Sequence, residues 1–260
     1  MCFDAVALPP ERDCPSRLSP RAIPPVVGTA MNKTSDPTRL YTERAQSYVR
    51  FVRCVGYPQG LRAYFLASPL LRSGLRVLDA GCGTGIVTLA MREALLRRNL
   101  SPGPLHGFDL TPAMIERFRQ TLHRRAIEGI DVVQANVLQL ETLPSLWNDY
   151  DLIVSASMME YLPANRLVDA LDGLRGLLSE GGTLVLFITR RNWLMRPLIG
   201  RWWKANLYES GELEESFRRA GFSSMAFRAF PLRFRHLGLW AHIVEARCSR
   251  QRTAPTLTRR

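Results

Sequence analysis

Lysine is almost missing from this 260-residue chain: of 35 basic residues only Lys33 and Lys204 are lysine, and the rest are arginine. Cysteine is sparse too. The five (Cys2, Cys14, Cys54, Cys82, Cys248) show neither a CxxC pair nor a ligand-like spacing to the four histidines. That argues against a disulfide framework and against any metal site, and makes a reducing cytoplasm the default compartment. No run of 18 or more uncharged apolar residues occurs, so no membrane-spanning helix is expected. A basic stretch followed by an apolar core and a small-residue cleavage site is also missing at the start, and no secretory signal is read there.

The net charge of +12 does not spread evenly. Residues 1–38 carry four basic and four acidic residues, residues 247–260 carry five arginines and no acid, and residues 39–246 hold the remaining +7. A surplus made almost wholly of arginine fits a GC-rich genome better than an evolved phosphate-binding face. Nucleic acid is therefore not the expected partner.

Hydrophobic residues make up 46% of the chain, enough for one good-sized core. Seven prolines and little periodicity mark residues 1–38 as a disordered leader. Met31 opens a start-like MNKTSDPTRLYTERA, so residues 1–30 read as dispensable. Residues 39–246 read as the folded domain and 247–260 as a disordered basic tail. Within the domain, apolar runs alternate with helical patterns. The runs are LRVLDA (75–80), LHGFDL (105–110), DVVQAN (131–136), YDLIVSAS (150–157) and GTLVLFITR (182–190). One helix starts with Thr111 as N-cap and Pro112 at its first position. Another carries Leu167, Ala170, Leu171, Leu174 and Leu178, with Gly181-Gly182 ending it. Near the end, FSSMAFRAF and LWAHIVEARC are close enough in sequence for an antiparallel pair. The pattern predicts an α/β fold: a Rossmann-like three-layer sandwich with a mostly parallel seven-stranded sheet and an antiparallel edge strand.

VLDAGCGTG, from Val77 to Gly85, feeds a strand into a helix through a turn with almost no side chains. Such a turn lets the backbone approach a ligand. In doubly wound sheets, ligands sit at the carboxyl ends of the strands. Asp109 closes the second strand, where its carboxylate can accept from the vicinal hydroxyls of a ribose. Asn136 closes the third, with one acceptor and one donor for an adenine edge. The spacing G-x-G-x-G lacks the third glycine of the dinucleotide fingerprint, and no phosphate-loop lysine is present. A nucleoside cofactor without phosphates is expected.

These residues carry a resemblance. VLDAGCGTG, with GFDLTPAMIERFR, QANVLQL, YDLIVSASMMEYLP and LSEGGTLVLFITRRN after it, resembles the class I S-adenosylmethionine-dependent methyltransferases, and YTERAQSY (41–48) is similar to a segment before the first strand of many small-molecule members. The likeness covers residues 40–246. It implies S-adenosylmethionine as cofactor, with Asp79 and the backbone of Gly81, Cys82, Gly83, Thr84 and Gly85 at its amino-acid part. It further implies Asp109 at the ribose, Leu110 and Met114 against adenine, Asn136 and Val137 at the adenine edge, and Tyr41 as a further contact.

The acceptor is expected to face SASMMEYLP, where Glu160 and Tyr161 are the ionisable candidates for a base. The loop lacks the [DNS]PP[YFW] signature of enzymes acting on exocyclic base nitrogens. Cys82 reads as a packing residue rather than a nucleophile. After the fifth strand, Met195, Leu198, Ile199, Trp202 and Trp203 form an apolar helical stripe among arginines. The segment 192–208 reads as a lid-like insertion, as a core helix, or, over Trp193–Tyr208, as a helix lying on an anionic membrane surface at the inner membrane. The leading expectation is methyl transfer to a small, apolar molecule such as a quinone, phenol, fatty acid or lipid headgroup. An RNA or protein methyltransferase and a non-catalytic cofactor-binding relative are the alternatives.

Overall fold

A computed structural model of the chain describes residues 54–193, 195 and 205–248, which fall in one compact unit. The expected leader, Tyr41 with its segment, the stripe residues Leu198, Ile199, Trp202 and Trp203, and the tail from residue 249 lie outside the described residues.

Seven strands form one sheet: β1 Val77–Ala80, β2 Leu105–Asp109, β3 Ile130–Gln134, β4 Tyr150–Ala156, β5 Leu178–Thr189, β6 Ser224–Arg228 and β7 Ala241–Arg247. Their order is β3-β2-β1-β4-β5-β7-β6. β1 to β5 pair in parallel, while β7 runs antiparallel to both β5 and β6. The hairpin at the end of the chain therefore inserts its second strand beside β5 and leaves β6 at the edge. Among the described residues, five α-helices accompany the sheet: α1 Tyr57–Ala67, α2 Ile86–Arg97, α3 Pro112–Arg124, α4 Leu167–Gly176 and α5 Ser210–Arg219.

Successive strand residues face opposite cores, as strand geometry requires. Val77, Leu152 and Val185 join Phe65, Met91, Leu95 and Phe118 from α1, α2 and α3. Leu78, Ile153 and Leu184 join Leu171, Leu174 and Phe217 from α4 and α5. The three layers follow from that alternation: each central strand is apolar on both faces, so both must be covered.

Three boundaries differ from the sequence reading. β3 stops at Gln134, and Asn136 stands two residues beyond it, because the Asn136 side chain accepts the Leu138 N–H at 3.0 Å and turns the chain. The helix expected to reach Gly181-Gly182 ends at Gly176, since Leu178 pairs with Tyr150 and opens β5 instead. At the carboxyl end, β7 runs to Arg247 and Cys248 is buried, two residues past the expected domain limit.

β1 neighbours β2 on one side and β4 on the other. Strand order reverses there, so a crevice opens above the carboxyl ends of β1 and β4. The opposite end of the sheet is closed by packing. His106 Nδ1 lies 2.7 Å from the Tyr150 hydroxyl, and its ring stacks on Trp147 at 4.3 Å between centroids.

Candidate active site

The turn from Gly81 to Gly85 owes its glycines to different causes. Gly81 and Gly85 hold φ of 79° and 85°. A Cβ on Gly81 would lie 2.5 Å from Met158 Cγ, and one on Gly85 only 2.1 Å from the Phe118 ring. These two are demanded by the protein's own packing. A Cβ on Gly83 would meet nothing within 4 Å, so the middle glycine faces an open cleft. Cys82 packs over Gly107, where a Cβ would lie 3.1 Å from its Sγ, and burial raises its thiol pKa well above the ordinary value. Its role is packing, as the sequence suggests.

Beneath the turn, Asp79 is buried at 1% exposure. Its Oδ2 accepts from the Thr88 N–H at 3.0 Å and from the Thr88 hydroxyl, which pins the first turn of α2 under the glycines. Its Oδ1 has no partner among the described residues, and burial pushes its pKa up to about 7. Asp109 sits at the level of the turn. Its Oδ2 accepts the Gly83 N–H at 2.9 Å and its Oδ1 the Thr111 N–H at 2.8 Å, while burial raises its pKa. Each oxygen keeps a second lone pair that can receive a hydroxyl.

One cleft runs along these residues. By chain segment its lining falls into a first wall, with Gly81, Cys82, Gly83, Thr84, Asp109, Leu110, Met114, Asn136 and Val137 from the strand-end turns, and a second wall, with Tyr57, Ala156, Ser157, Met158, Tyr161 and Leu162 from the start of α1 and the end of β4 onward. The first wall gathers most of the cofactor residues expected from the sequence. Asp79 and Gly85 stand behind the lining, where they shape the turn rather than face the cleft. Leu110 is 44% exposed at the rim, and Met114 is buried beside it, an apolar pair suited to the flat face of a base.

The second wall was only partly anticipated. Tyr57 opens α1 directly after Gly56, whose φ is 76°, and its hydroxyl lies 3.5 Å from Ser157 Oγ. Ser157 itself has a left-handed φ of 54° and donates its N–H to the Phe187 carbonyl at 3.0 Å. Strain of this kind in a residue other than glycine concentrates at working sites. The sequence signal for Tyr57 is Gly-Tyr-Pro, a bend followed by a helix start.

Of the two base candidates, Tyr161 lines the cleft and Glu160 stands behind it at 2% exposure. Glu160 Oε1 accepts from the Thr189 hydroxyl at 2.8 Å, and its backbone carbonyl accepts the Asn206 N–H at 2.8 Å. Asn206 Nδ2 also donates to the Leu162 carbonyl at 2.6 Å. Glu160 thus ties the second wall to the end of β5 and to the returning segment. Its Oε2 has no partner among the described residues, and burial pushes its pKa up to about 7. The neighbouring Tyr208 is pushed up to about 12, by burial and then by the charge of Glu160. Of the expected apolar stripe, Met195 is described and is buried, while Trp193 just before it is 84% exposed.

The cleft fits a nucleoside cofactor without phosphates: a glycine backbone open at Gly83, a carboxylate at ribose height and an apolar rim at Leu110 and Met114. Residues 77–182 match the model of a methyltransferase domain family. The chain is 29% identical over 147 residues to aklanonic acid methyltransferase DauC of Streptomyces sp. (strain C5), covering 56% of this chain and 62% of that protein. It is also 29% identical over 164 residues to the chloroplastic 2-methyl-6-phytyl-1,4-hydroquinone methyltransferase 1 of Oryza sativa subsp. japonica, covering 61% and 44% respectively. The chain spans about half the length of these curated relatives. Among solved structures, magnesium protoporphyrin IX methyltransferase from Synechocystis PCC 6803 with bound SAM aligns at a TM-score of 0.58 and 18% identity, over 84% of this chain and 100% of that one. At that identity the likeness speaks for the fold. The matched stretch is a methyltransferase domain, and the glycine turn inside it is the one expected for S-adenosylmethionine as cofactor.

Proposed function

We propose that the protein transfers the methyl group of S-adenosylmethionine to a small, apolar acceptor of the quinone, phenol, fatty acid or lipid-headgroup kind. The observation that carries this reading is a single cleft whose lining joins residues suited to a nucleoside with apolar side chains and hydroxyls. The acceptors in the relatives' names, aklanonic acid and a phytyl hydroquinone, support the apolar class.

The glycine backbone would hold the amino-acid part of the cofactor, Asp109 the ribose, and Leu110, Met114, Asn136 and Val137 the adenine. Asn136 Oδ1 already accepts the Leu138 N–H and keeps one lone pair for an adenine amino group. When bound, the cofactor supplies a methyl on a sulfonium whose positive charge is lost as the methyl leaves. The chain's task is then chiefly to orient the acceptor, and good orientation is worth several kcal/mol. The hydroxyls of Tyr57, Ser157 and Tyr161 offer hydrogen bonds to an acceptor oxygen, while Ala156, Met158 and Leu162 exclude water around it. Tyr161, which lines the cleft where Glu160 does not, would take an acceptor proton only as its phenolate. The apolar stripe among arginines within Trp193–Tyr208 suits a role toward an apolar acceptor or an anionic membrane surface, and just outside it the Arg191 N–H is bonded to the Tyr208 carbonyl at 2.8 Å.

Calorimetry against S-adenosylmethionine and NAD tests the cofactor: binding of the first and not the second is expected, and the reverse would overturn the reading. Tritium from the methyl group should then enter products extracted into organic solvent from a lysate. Label found only in RNA or protein would move the acceptor to the macromolecular class.

A further inference from the structure

Three large apolar side chains stand exposed on two segments that are bonded to each other. Leu232 and Leu239, 81% and 56% exposed, begin and end the 3₁₀ segment Leu232–Leu239, and Trp193, 84% exposed, follows β5. Asn192 Nδ2 donates to the Leu239 carbonyl at 2.6 Å, the Arg190 N–H to the Trp240 carbonyl at 2.9 Å, and the Arg190 guanidinium to the Gly238 carbonyl at 3.4 Å. Leu237, buried in the same segment, anchors it: a Cβ on Gly60 of α1 would lie 2.2 Å from Leu237 Cδ1. The outward leucines are therefore not a loose end. They are held out by a turn whose other face is packed.

The two stretches themselves carry charge of one sign. No acidic residue occurs from Arg228 to Val244, nor from Thr189 to Tyr208. Arg191 is paired with Glu209 and Glu212, and Arg228 with Glu245. Arg190, Arg233 and Arg235 have no carboxylate partner among the described residues, and Arg233 and Arg235 are exposed. The surface also borders the second wall of the cleft. His236 Nε2 lies 3.1 Å from the Val55 carbonyl, and Phe234 lies against Gly56, the residue before Tyr57.

We propose that the Leu232–Leu239 segment and Trp193 form a docking surface for an anionic lipid bilayer. Leucine and tryptophan tips would enter the interfacial region while Arg233 and Arg235 meet lipid phosphates. Charge complementarity selects this occupant. A symmetric contact with a second copy would set these arginines against their own counterparts with no acid between them. A nucleic acid would use the guanidinium groups but gain nothing from protruding leucines. Docked this way, the cleft entrance beside Tyr57 faces the membrane, where an apolar acceptor would be concentrated. The surface goes beyond the transfer reading, and binding to lipid does not depend on it.

The test is co-sedimentation of the full chain with vesicles of equimolar phosphatidylcholine and phosphatidylglycerol, against phosphatidylcholine alone. The protein should pellet with the anionic vesicles and be released by salt. Arg233→Glu with Arg235→Glu should lower partitioning about 10-fold or more, and Leu232→Ser with Leu239→Ser and Trp193→Ser should do the same. Calorimetry with S-adenosylmethionine should be unchanged in both variants, because none of these residues lines the cleft, which separates failure of docking from failure of the cofactor reading. Protein that stays in the supernatant overturns the proposal. So do variants that pellet like the wild type, or a dimer in sedimentation velocity that the leucine and tryptophan changes dissolve without any vesicle binding.

Discussion

The two walls of the cleft are built in different ways. The first wall, the one we assign to the cofactor, comes from a single stretch, 77–137, in which three parallel strands each end in a turn that delivers its residue locally. Its polar groups are backbone amides already matched to side-chain oxygens, as with Gly83 and Asp109. The second wall is assembled from Tyr57 before the sheet and the 156–162 turn after β4, and it is backed by Thr189 and Asn206 from either end of the β5 return. It contains a left-handed serine and rests on a buried carboxyl group, one oxygen of which has no partner among the described residues. A wall made of turns after strands is fixed by the ladder. A wall made of distant pieces depends on the side chains that tie them together.

The largest expected effect tests the rigidity of the first wall. Gly85→Ala would place a Cβ 2.1 Å from the Phe118 ring at a φ of 85°, and neither the ring nor the backbone can yield cheaply. A loss of about 3–5 kcal/mol of stability is expected in thermal or urea unfolding. Gly83→Ala meets no neighbour, so it should cost only about 1 kcal/mol of folding while weakening S-adenosylmethionine sharply. Equal stability losses in the two variants would mean that the open space at Gly83 has no bearing on ligand approach.

Next in size is Asp109→Ala, expected to weaken the cofactor by about 2–4 kcal/mol, the range for charge-assisted hydrogen bonds at a buried site. The structure adds a second cost, since the Gly83 and Thr111 amides lose their acceptor. Calorimetry with S-adenosylmethionine measures the first and unfolding without ligand the second. Unchanged affinity in a folded variant would remove Asp109 from the cofactor wall.

How far each wall could be read in the sequence follows from the same contrast. Asp109 and Gly83 were legible because both their placement and their partner lie within one βα turn of each other's strand. Asn136 was legible as a residue but not as a strand end, because its side chain turns the chain by bonding Leu138 and so breaks the ladder early. Cys82 was read correctly as packing, although the pattern did not reveal that Gly107 makes room for it. Tyr57 was not anticipated, since its approach to Ser157 spans a hundred residues and no local period encodes it. Glu160 was visible as an ionisable residue in the right loop. Its depth depends on Thr189 and Asn206, which no reading of SASMMEYLP contains.

The tie at Glu160 should show in the pH dependence of stability. Burial raises its folded pKa from the usual 4.5 to about 7, so between those values the folded state binds the proton more tightly than the unfolded chain. The stabilisation is fully present below about pH 4.5 and lost as pH rises through about 7. Glu160→Gln keeps an acceptor for the Thr189 hydroxyl and cannot ionise. It should match the wild type near pH 4.5 and exceed it at pH 8 by up to about 3 kcal/mol in urea unfolding. A constant difference across that range would show that the carboxyl is hydrated and that the second wall does not rest on a buried acid.

The smallest expected effect is the sharpest test of whether the walls have separate tasks. Tyr57→Phe removes one hydroxyl, 3.5 Å from Ser157 Oγ, and leaves the ring that packs at the start of α1. A bond of that length contributes little, so stability should change by less than about 1 kcal/mol. If the second wall serves the acceptor, S-adenosylmethionine affinity should also stay within about 2-fold, since the hydroxyl lies beside Ser157 and not on the glycine turn. The loss should fall on transfer to an acceptor that carries an oxygen, as a raised KM with the cofactor's KM unchanged. The opposite result is equally informative. A 10-fold fall in cofactor affinity would place Tyr57 against the sulfonium end of the cofactor, join the two walls into one binding site, and leave Ser157, Tyr161 and Leu162 alone to meet the acceptor.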